Sequence, residues 1–386
     1  MIIEPKVRGF ICTTAHPDGC KEHVRRQMEY VKQNGSMPGP KKVLVIGCSS
    51  GYGLATRIAA AYGCGASTLG VMFERPASEK RTASAGYYNT AAFEEYAKAD
   101  GLYAKTINAD AFSAQVKQQV IAQIKEDLGQ VDMVVYSLAA PKRTAPDGVT
   151  YSSVLKTTGE PFTNKTMNLK TNQVTDVTIP AATDEEVAAT VKVMGGEDWM
   201  DWMEALSAGE VLAPGALTLA YSYIGPALTH PVYDQGSIGM AKHHLYQTAG
   251  EITRRFADKG IKAYISVNKA LVTQASAAIP IVPLYISILY KVMKEKGLHE
   301  GCIEQMDRLF REKLPAGPVV DEKNRIRLDD YELREDVQAK VMDAWQHIRT
   351  ENAGEYADVD GYWEDFYHIF GFGFDGVDYS RDVPLV

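Results

Sequence analysis

Two tyrosines and a lysine lie close together in the second half of the chain, at Tyr223, Tyr233 and Lys242. A phenol hydroxyl can donate a proton to an oxyanion, and an ammonium group beside a tyrosine favours its phenolate form. The same ammonium can hold the ribose of a nicotinamide cofactor and orient it for hydride transfer. These residues are therefore candidates for a reaction centre if the chain also builds a nucleotide site. Buried tyrosines are otherwise ordinary core residues.

The elements around these residues decide whether they can meet. Residues 217–220 form an apolar run that predicts a strand before the first tyrosine. Residues 237–256 predict a helix that carries the lysine, with Ser237 as its N-cap. Unbroken helix would place the second tyrosine and the lysine on opposite faces. Pro231 and Gly236 instead favour a loop for that tyrosine, which would allow the two side chains to meet.

A glycine-rich turn, GCSSGYG at residues 47–53, lies between a predicted strand at 42–47 and a predicted helix that starts at Leu54. Such glycines let the backbone approach a pyrophosphate, whose charge rests on the helix N-terminus. A second predicted strand, residues 67–73, ends at Glu74, about twenty residues after the glycines. An acid there binds the ribose hydroxyls of NAD and repels the extra phosphate of NADP. The alternative is a turn that only connects elements and an acid that is merely solvated.

Further strands alternate with helices along the chain. Residues 103–108, 131–138 and 261–268 predict strands. The pattern predicts an α/β fold: a doubly wound, mostly parallel Rossmann-type sheet with a substrate-side insertion and a C-terminal helical extension. Ligands of such sheets bind beyond the carboxyl ends of the strands. Asp110 either hydrogen-bonds adenine or caps the next helix, and residues 270–274 lie where nicotinamide would bind.

We expect one enlarged domain over residues 1–386. Its parts are an NADH-binding half (1–141), an insertion at the substrate side (142–215), a catalytic Tyr/Lys half (216–320) and a C-terminal extension (321–386). The insertion contains Trp199 and Trp202 and is either a lid or a subdomain that these tryptophans pack down. Near the extension, residues 319–328 predict a hairpin, and Asp329 with Glu332 predicts a capping box that opens a helix. The aromatic tail, residues 366–379, is predicted to be packed.

Composition excludes several classes of function. The net charge of −8 argues against a nucleic-acid partner, and five scattered cysteines without a CxxC pair predict reduced thiols. The chain starts without a signal-peptide pattern, and Pro280 and Pro283 break the apolar run at 277–293. We therefore expect a soluble, cytoplasmic protein with no membrane insertion. Adjacent His243 and His244 point in different directions, which argues against a metal site, and neither a GxSxG motif nor a Walker lysine is present.

Several segments together resemble one known family. They are GCSSGYGLA at 47–55, VYSLAAP at 135–141, VMGGEDW at 193–199, AYSYIG at 220–225, SVNKALVT at 266–273, YKVMKEKG at 290–297 and DGVDY at 375–379. Eight residues separate Tyr233 from Lys242, a wider gap than the short-chain dehydrogenase/reductase superfamily usually has. Within that superfamily the chain resembles the trans-2-enoyl reductases of the FabV type, over essentially its whole length. Cys48 stands where relatives often have alanine, and its small side chain should be tolerated.

The resemblance implies NADH-dependent reduction of the trans-2 double bond of enoyl thioesters carried by CoA or acyl carrier protein, by a monomer. Tyr233 would be the proton donor, Lys242 would bind NADH, and Tyr223 would contact the substrate thioester. Hydride would reach the β-carbon, and both tyrosines would stabilise the resulting enolate. The residues implied to contact the cofactor are Gly47, Cys48, Ser49, Ser50, Gly51, Tyr52, Phe73, Glu74, Asp110, Ala111, Leu138, Ala139, Lys242, Leu271, Val272 and Thr273.

Two other functions remain open from the residues alone. A carbonyl reductase would use the same Tyr/Lys pair on a C=O group. A non-catalytic protein that senses dinucleotides would need the glycine turn but not the pair. The phosphates of CoA would need a local cationic site, for which Lys142–Arg143 and Lys80–Arg81 are candidates, although ordinary solvated surface is the favoured interpretation of each pair.

Overall fold

The computed structural model describes residues 1–384. The strands are β1 Val7–Arg8, β2 Ile11–Cys12, β3 Lys42–Ile46, β4 Ser67–Met72, β5 Ala104–Asn108, β6 Val131–Tyr136, β7 Lys142–Thr144, β8 Thr150–Ser152, β9 Phe162–Asn168, β10 Gln173–Ile179, β11 Leu212–Ser222, β12 Lys262–Val267 and β13 Arg325–Arg327. The helices are α1 Pro17–Gln33, α2 Gly51–Cys64, α3 Ala85–Ala99, α4 Ala114–Asp127, α5 Asp184–Met194, α6 Glu197–Ala208, α7 Ser237–Arg255, α8 Val282–Glu295, α9 Cys302–Arg308, α10 Glu335–His347, α11 Ala353–Tyr356 and α12 Val359–Ile369.

Seven strands form one sheet in the order β13-β12-β11-β6-β3-β4-β5, and every pairing in it is parallel. The chain builds outward from β3 in one direction and from β6 in the other, so a crevice opens between their carboxyl ends. The predicted doubly wound, parallel α/β sheet is confirmed. The strands after which the glycine turn and the two tyrosines follow belong to this sheet.

The central strands are buried on both faces because helices cover each side of the sheet. In β3, Val43 to Ile46 are fully buried, as expected of a central parallel strand. Side chains of α1, α2 and α9 form the core on one face, and side chains of α4, α6 and α7 form the core on the other. The two layers hold the carboxyl ends of the strands in fixed register.

Residues 142–215 contain two antiparallel hairpins, β7–β8 and β9–β10, followed by α5 and α6. Trp199 and Trp202 on α6 are fully buried in the sheet core, where the Trp199 indole N–H donates to Thr218 Oγ1 at 2.9 Å. The tryptophans therefore pack α6 onto the sheet. The β9–β10 hairpin is held to the C-terminal part of the chain by Lys165, whose Nζ donates to the Trp345 carbonyl oxygen at 2.7 Å.

The hairpin predicted at 319–328 is wrong. Only residues 325–327 form a strand, β13, which pairs parallel with β12 as the edge of the main sheet. The turn that precedes it is held by Asp321, whose carboxylate accepts from the Arg325 backbone N–H and guanidinium. This local turn gives the sequence its hairpin-like pattern, whereas the strand's actual partner lies some sixty positions earlier in the chain.

The capping box predicted at Asp329 and Glu332 is also wrong, because α10 begins only at Glu335. Asp329 binds the Arg327 guanidinium, and the Glu332 side chain is fully buried among other partners. Ser237 is not an N-cap, since Gly236 occupies that position and Ser237 Oγ donates to the Val154 carbonyl oxygen at 2.6 Å.

The aromatic tail is packed as predicted, with Phe366, Phe370, Phe372 and Phe374 at most 5% exposed. Over residues 1–384, no helix is both long and apolar enough to cross a membrane. The same part of the chain contains no cluster of three or more His, Cys, Asp or Glu side chains that could hold a metal ion.

Candidate active site

The two tyrosines meet beyond the carboxyl end of β11. Tyr223 directly follows the strand, and Tyr233 lies in a hydrogen-bonded turn in which its N–H donates to the Thr229 carbonyl oxygen at 2.9 Å. Their rings pack edge to face with centroids 4.8 Å apart. Tyr233 is 7% exposed, and its hydroxyl has no hydrogen-bond partner among the described residues. The predicted loop position of Tyr233 is confirmed, and its hydroxyl is available to a ligand.

Lys242 lies in the second turn of α7 and points back toward β11. Its Nζ donates to the Tyr221 carbonyl oxygen at 3.2 Å, and burial lowers the pKa of the ammonium to about 8. Burial raises the pKa of Tyr233, and the neighbouring Tyr246 raises it further. Both influences oppose the phenolate, and Lys242 is not among the groups that shift this pKa. Tyr233 is a neutral phenol at neutral pH.

The glycine turn joins β3 to α2 at the crevice. Gly47 and Gly51 adopt positive φ angles of 86° and 52°, which favour glycine. A Cβ on Gly53 would overlap the Gly47 carbonyl oxygen, so the turn can close this tightly only with glycine at that position. Ser50 is the N-cap of α2 and is extended. The first turn of the helix therefore presents backbone N–H groups and the positive end of its dipole at the sheet edge.

The acid at the end of the second strand is tied to this turn. Glu74 Oε1 accepts from Ser49 Oγ at 2.7 Å, and the Glu74 backbone N–H donates to Asn108 Oδ1 at 2.8 Å. Phe73 beside it is 78% exposed, although it is a large apolar side chain. A fixed carboxylate beside an uncovered aromatic ring is a suitable surface for the ribose and base of an adenosine.

Asp110 does not cap the next helix, whose N-cap is Ser113. Its Oδ1 accepts instead from the Phe112 N–H at 3.0 Å, which forms a local turn. Lys117 anchors the same loop, since its Nζ donates to the Ala111 carbonyl oxygen at 3.3 Å. On the other side of the crevice, Leu138 and Ala139 follow β6, and the Leu138 side chain lies against Gly47.

Residues 271–273 follow β12 and close the site beside the glycine turn. The Thr273 methyl group lies next to Gly51, and the Tyr52 hydroxyl donates to the Lys269 carbonyl oxygen at 2.6 Å. The Val272 N–H donates to the Tyr290 hydroxyl at 3.1 Å. The structure thus places this segment at the same sheet edge as the glycine turn, although the two are far apart in sequence.

One residue of this site was not found from the sequence. Glu332 is fully buried and accepts hydrogen bonds from the Tyr223 hydroxyl at 3.0 Å, the Tyr285 hydroxyl at 2.6 Å and the Ala270 N–H at 2.7 Å. It lies among local polar residues that resemble a helix cap, so its sequence context points away from the site.

The proposed phosphate-binding pairs differ in their surroundings. Arg143 is 2% exposed and binds the carboxylates of Glu197 and Asp201 at 3.0 and 3.1 Å, so it is neither solvated nor available to a phosphate. Lys80 and Arg81 are exposed on a short loop.

The fold and this edge of the sheet define a class of protein. A parallel sheet with a glycine turn, an acid at the next strand end and a Tyr/Lys pair beyond its carboxyl ends is typical of nicotinamide-dependent oxidoreductases of the Rossmann class. Residues 81–315 match the family model described as "Trans-2-enoyl-CoA reductase catalytic region", and residues 2–79 match "NAD(P)H binding domain of trans-2-enoyl-CoA reductase". The chain belongs to the trans-2-enoyl-CoA reductase family.

Named relatives are similar to this chain over its whole length. It is 58% identical over 389 residues to the enoyl-acyl-carrier-protein reductase (NADH) of Flavobacterium johnsoniae, with 100% of this chain and 98% of the relative covered. It is 56% identical over 386 residues to the trans-2-enoyl-CoA reductase (NADH) of Clostridium perfringens strain SM101, covering 100% and 99%.

Solved structures agree as well. The trans-2-enoyl-CoA reductase of Clostridium acetobutulicum in complex with NADH superposes with a TM-score of 0.97 at 45% identity, covering 100% of this chain and 98% of that one. The Treponema denticola enzyme in complex with NAD gives 0.96 at 50% identity, with the same coverage.

A third family model, "Enoyl reductase FAD binding domain", matches residues 320–383. These residues do not fit a flavin dinucleotide. Their one strand, β13, leads into an irregular segment rather than into a glycine turn that opens a helix. The inward side chains of α10 and α12, including Val337, Trp345 and Tyr362, are buried in the core that α8 also lines. We therefore assign no chemistry to a flavin.

Proposed function

We propose that this protein reduces the trans-2 double bond of enoyl thioesters with NADH. The observation that carries the proposal is the Tyr233 hydroxyl. Burial raises its pKa, it has no hydrogen-bond partner among residues 1–384, and its ring packs against Tyr223 beyond the same sheet edge as the glycine turn. The wide Tyr233–Lys242 spacing and the family membership support an enoyl thioester over a simple ketone as substrate.

The residues present fit NADH. The glycine turn and the N-terminus of α2 suit a pyrophosphate, and the Glu74 carboxylate, fixed by Ser49, suits ribose hydroxyls while it opposes the phosphate of NADP. Lys242 Nζ has three donors and one partner among the described residues, the Tyr221 carbonyl oxygen, which leaves donors for a second ribose. When bound, NADH supplies the hydride that adds to the β-carbon of the substrate.

The protein's own groups then manage the charge that develops on the thioester. Addition at the β-carbon moves negative charge onto the thioester oxygen as an enolate, which Tyr233 stabilises by donating its phenolic proton. Burial lowers the pKa of the Lys242 ammonium to about 8, and its one hydrogen bond among the described residues goes to the Tyr221 carbonyl oxygen at the end of β11. The Tyr223 hydroxyl donates to Glu332 in this structure, so its proton is not directed at the enolate as the resemblance implied, and Tyr223 contributes an aromatic surface beside Tyr233. The α-carbon then takes a proton from solvent while the oxygen returns its proton to Tyr233, which completes the acyl thioester and restores the phenol.

Tyr233→Phe tests this proposal. With crotonyl-CoA and saturating NADH, we expect kcat to fall by about 10²–10⁴-fold, the usual contribution of a positioned acid. Tyr356→Phe, on the surface helix α11, should retain the wild-type rate. A Tyr233→Phe enzyme with undiminished turnover would exclude Tyr233 as the donor. A wild-type protein that binds NADH but reduces no enoyl thioester would exclude the function itself.

The proposal also includes the carrier to which the acyl chain is attached. Relatives bear the names of both enoyl-acyl-carrier-protein and trans-2-enoyl-CoA reductases, and we propose that this enzyme accepts either carrier, in the last reductive step of fatty-acid elongation or in short-chain acyl-CoA formation. Crotonyl-CoA, a long-chain enoyl-CoA and an enoyl carrier protein, compared side by side, give the preferred carrier and chain length. We also propose that the enzyme is a cytoplasmic monomer, which light scattering and cell fractionation can check.

A further inference from the structure

A buried carboxylate from the C-terminal part of the chain connects two parts of the candidate active site. Glu332 is fully buried, and its Oε1 accepts from the Tyr223 hydroxyl at 3.0 Å. Its Oε2 accepts from the Ala270 N–H at 2.7 Å. Ala270 immediately precedes the segment 271–273 beside the glycine turn. The Glu332 side chain therefore holds both Tyr223, which packs against Tyr233, and the start of residues 270–274, which we call the nicotinamide segment because nicotinamide is expected to bind there.

Soon after β12, backbone N–H groups donate to side-chain oxygens rather than to a neighbouring strand. The last strand-to-strand contact is the Asn268 N–H, which donates to the Ser222 carbonyl oxygen at 2.9 Å. Beyond it, the Lys269 N–H donates to Gln305 Oε1 at 3.0 Å, and the Ala270 N–H donates to Glu332. The conformation of this segment consequently depends on a few individual acceptors rather than on a sheet ladder.

Hydrogen-bond donors and a nearby lysine stabilise the charged form of Glu332. Tyr285 donates a third hydrogen bond to it at 2.6 Å, so two hydroxyls and one backbone N–H all point at the carboxylate. Lys269, 2% exposed, lies near it, and its positive charge opposes the rise in the pKa of Glu332 that burial causes. A backbone N–H can only donate, so the oxygen facing Ala270 must be an acceptor.

We propose that Glu332 is a positioning residue for the reduction: it directs the Tyr223 proton away from the substrate and sets the nicotinamide segment relative to Tyr233. The inference rests on the proposed function, because it assigns Glu332 a part in that same reaction. Glutamine at this position retains the size of the side chain but has only one acceptor oxygen. It cannot accept from both Ala270 and Tyr223, so the hydrogen bond to Tyr223 must reverse or break.

Steady-state kinetics of Glu332→Gln with crotonyl-CoA and NADH test the proposal, with Glu335→Gln as the matched control. Glu335 is an exposed acid three positions away that starts α10. We expect Glu332→Gln to lower kcat at least tenfold and to raise KM for NADH, while its thermal midpoint stays near that of the wild type. The control should change none of these values. Glu332→Asp, which restores two acceptors on a shorter stem, should recover part of kcat.

A double-mutant cycle with Tyr223→Phe separates positioning from general damage. If Glu332 acts through Tyr223, the loss of kcat in the double variant will be smaller than the product of the two single losses. Multiplicative losses would overturn the link to Tyr223, and unchanged kinetics in Glu332→Gln would overturn the whole inference. Both outcomes require an active wild-type enzyme, so they are distinct from failure of the proposed function, in which the wild type itself would reduce no enoyl thioester.

Discussion

A buried ion pair beside the loop at Ala111 and Phe112, where we propose that adenosine binds, allows a quantitative test. Lys117 Nζ on α4 lies 2.7 Å from Asp198 Oδ1 on α6, and the two residues are 6% and 1% exposed. The same ammonium donates to the carbonyl oxygens of Ala111 and Phe112 at 3.3 and 3.2 Å. Tyr136 donates to the other carboxylate oxygen at 3.0 Å. Lys117 thus connects the loop at Ala111 and Phe112 to α6, the helix that carries the buried tryptophans.

Lys117→Met preserves most of the side-chain stem and removes the charge. Breaking a buried pair on one side costs about 3–5 kcal/mol, since the remaining charge loses its compensation. Burial already raises the pKa of Asp198, and the Lys117 ammonium is the leading influence that lowers it. Without Lys117 this pKa rises further. The folded variant then binds a proton that the unfolded chain releases, so its stability deficit should shrink as the pH falls from 7 toward 5.

Urea unfolding of wild type and Lys117→Met at pH 7 and pH 5 measures both effects, with Lys125→Met on the exposed face of the same helix as control. Asp198→Asn added to Lys117→Met should recover part of the loss at pH 7. KM for NADH should rise in Lys117→Met because the loop at Ala111 loses its anchor. A deficit below about 1 kcal/mol at pH 7, or one that is equal at both pH values, would refute the assignment of a buried, uncompensated carboxylate.

Three further outcomes are expected. Glu74→Ser should raise kcat/KM with NADPH at least tenfold relative to NADH, because it removes the acid that opposes the ribose phosphate; unchanged selectivity would contradict that role. In the wild type, kcat should fall as the pH rises through about 8, because Lys242 loses its proton there. The pKa of Lys269 is also about 8, so Lys269→Met is the control: this variant should show the same fall in kcat. Trp199→Phe should lower the free energy of unfolding by about 1–3 kcal/mol, measured in urea, because the buried Thr218 hydroxyl loses its donor.

The sequence predicted the structure correctly where the conformation depends on neighbouring residues. Buried parallel strands appear as short apolar runs, so β3 and β4 and the glycine turn between them could be located within a residue or two. The loop position of Tyr233 followed from Pro231 and Gly236, which stop the helix from reaching it. Both features depend on backbone preferences that neighbouring residues determine directly.

Features that depend on distant parts of the chain could not be derived in this way. Strand β13 has three residues, and the strand that it pairs with lies far upstream, so the local sequence around it does not reveal its partner. Glu332 resembled a capping residue because its sequence neighbours are polar, whereas its partners come from α8 and from the segments that follow β11 and β12. The direction of the pKa shift of Tyr233 likewise depends on how completely the folded chain excludes water around the phenol.

The contact between Tyr223 and Glu332 also affects when the enzyme becomes active. The two residues are 109 positions apart, and at 5–20 residues per second a ribosome needs about 5 to 20 seconds to make the intervening chain. A nascent chain that already carries Tyr233, Lys242 and the whole glycine turn still lacks strand β13 and the acceptor for Tyr223. If Glu332 positions Tyr223 as we propose, catalytic competence requires synthesis beyond residue 332, and chains arrested before it should be inactive although they contain the Tyr/Lys pair.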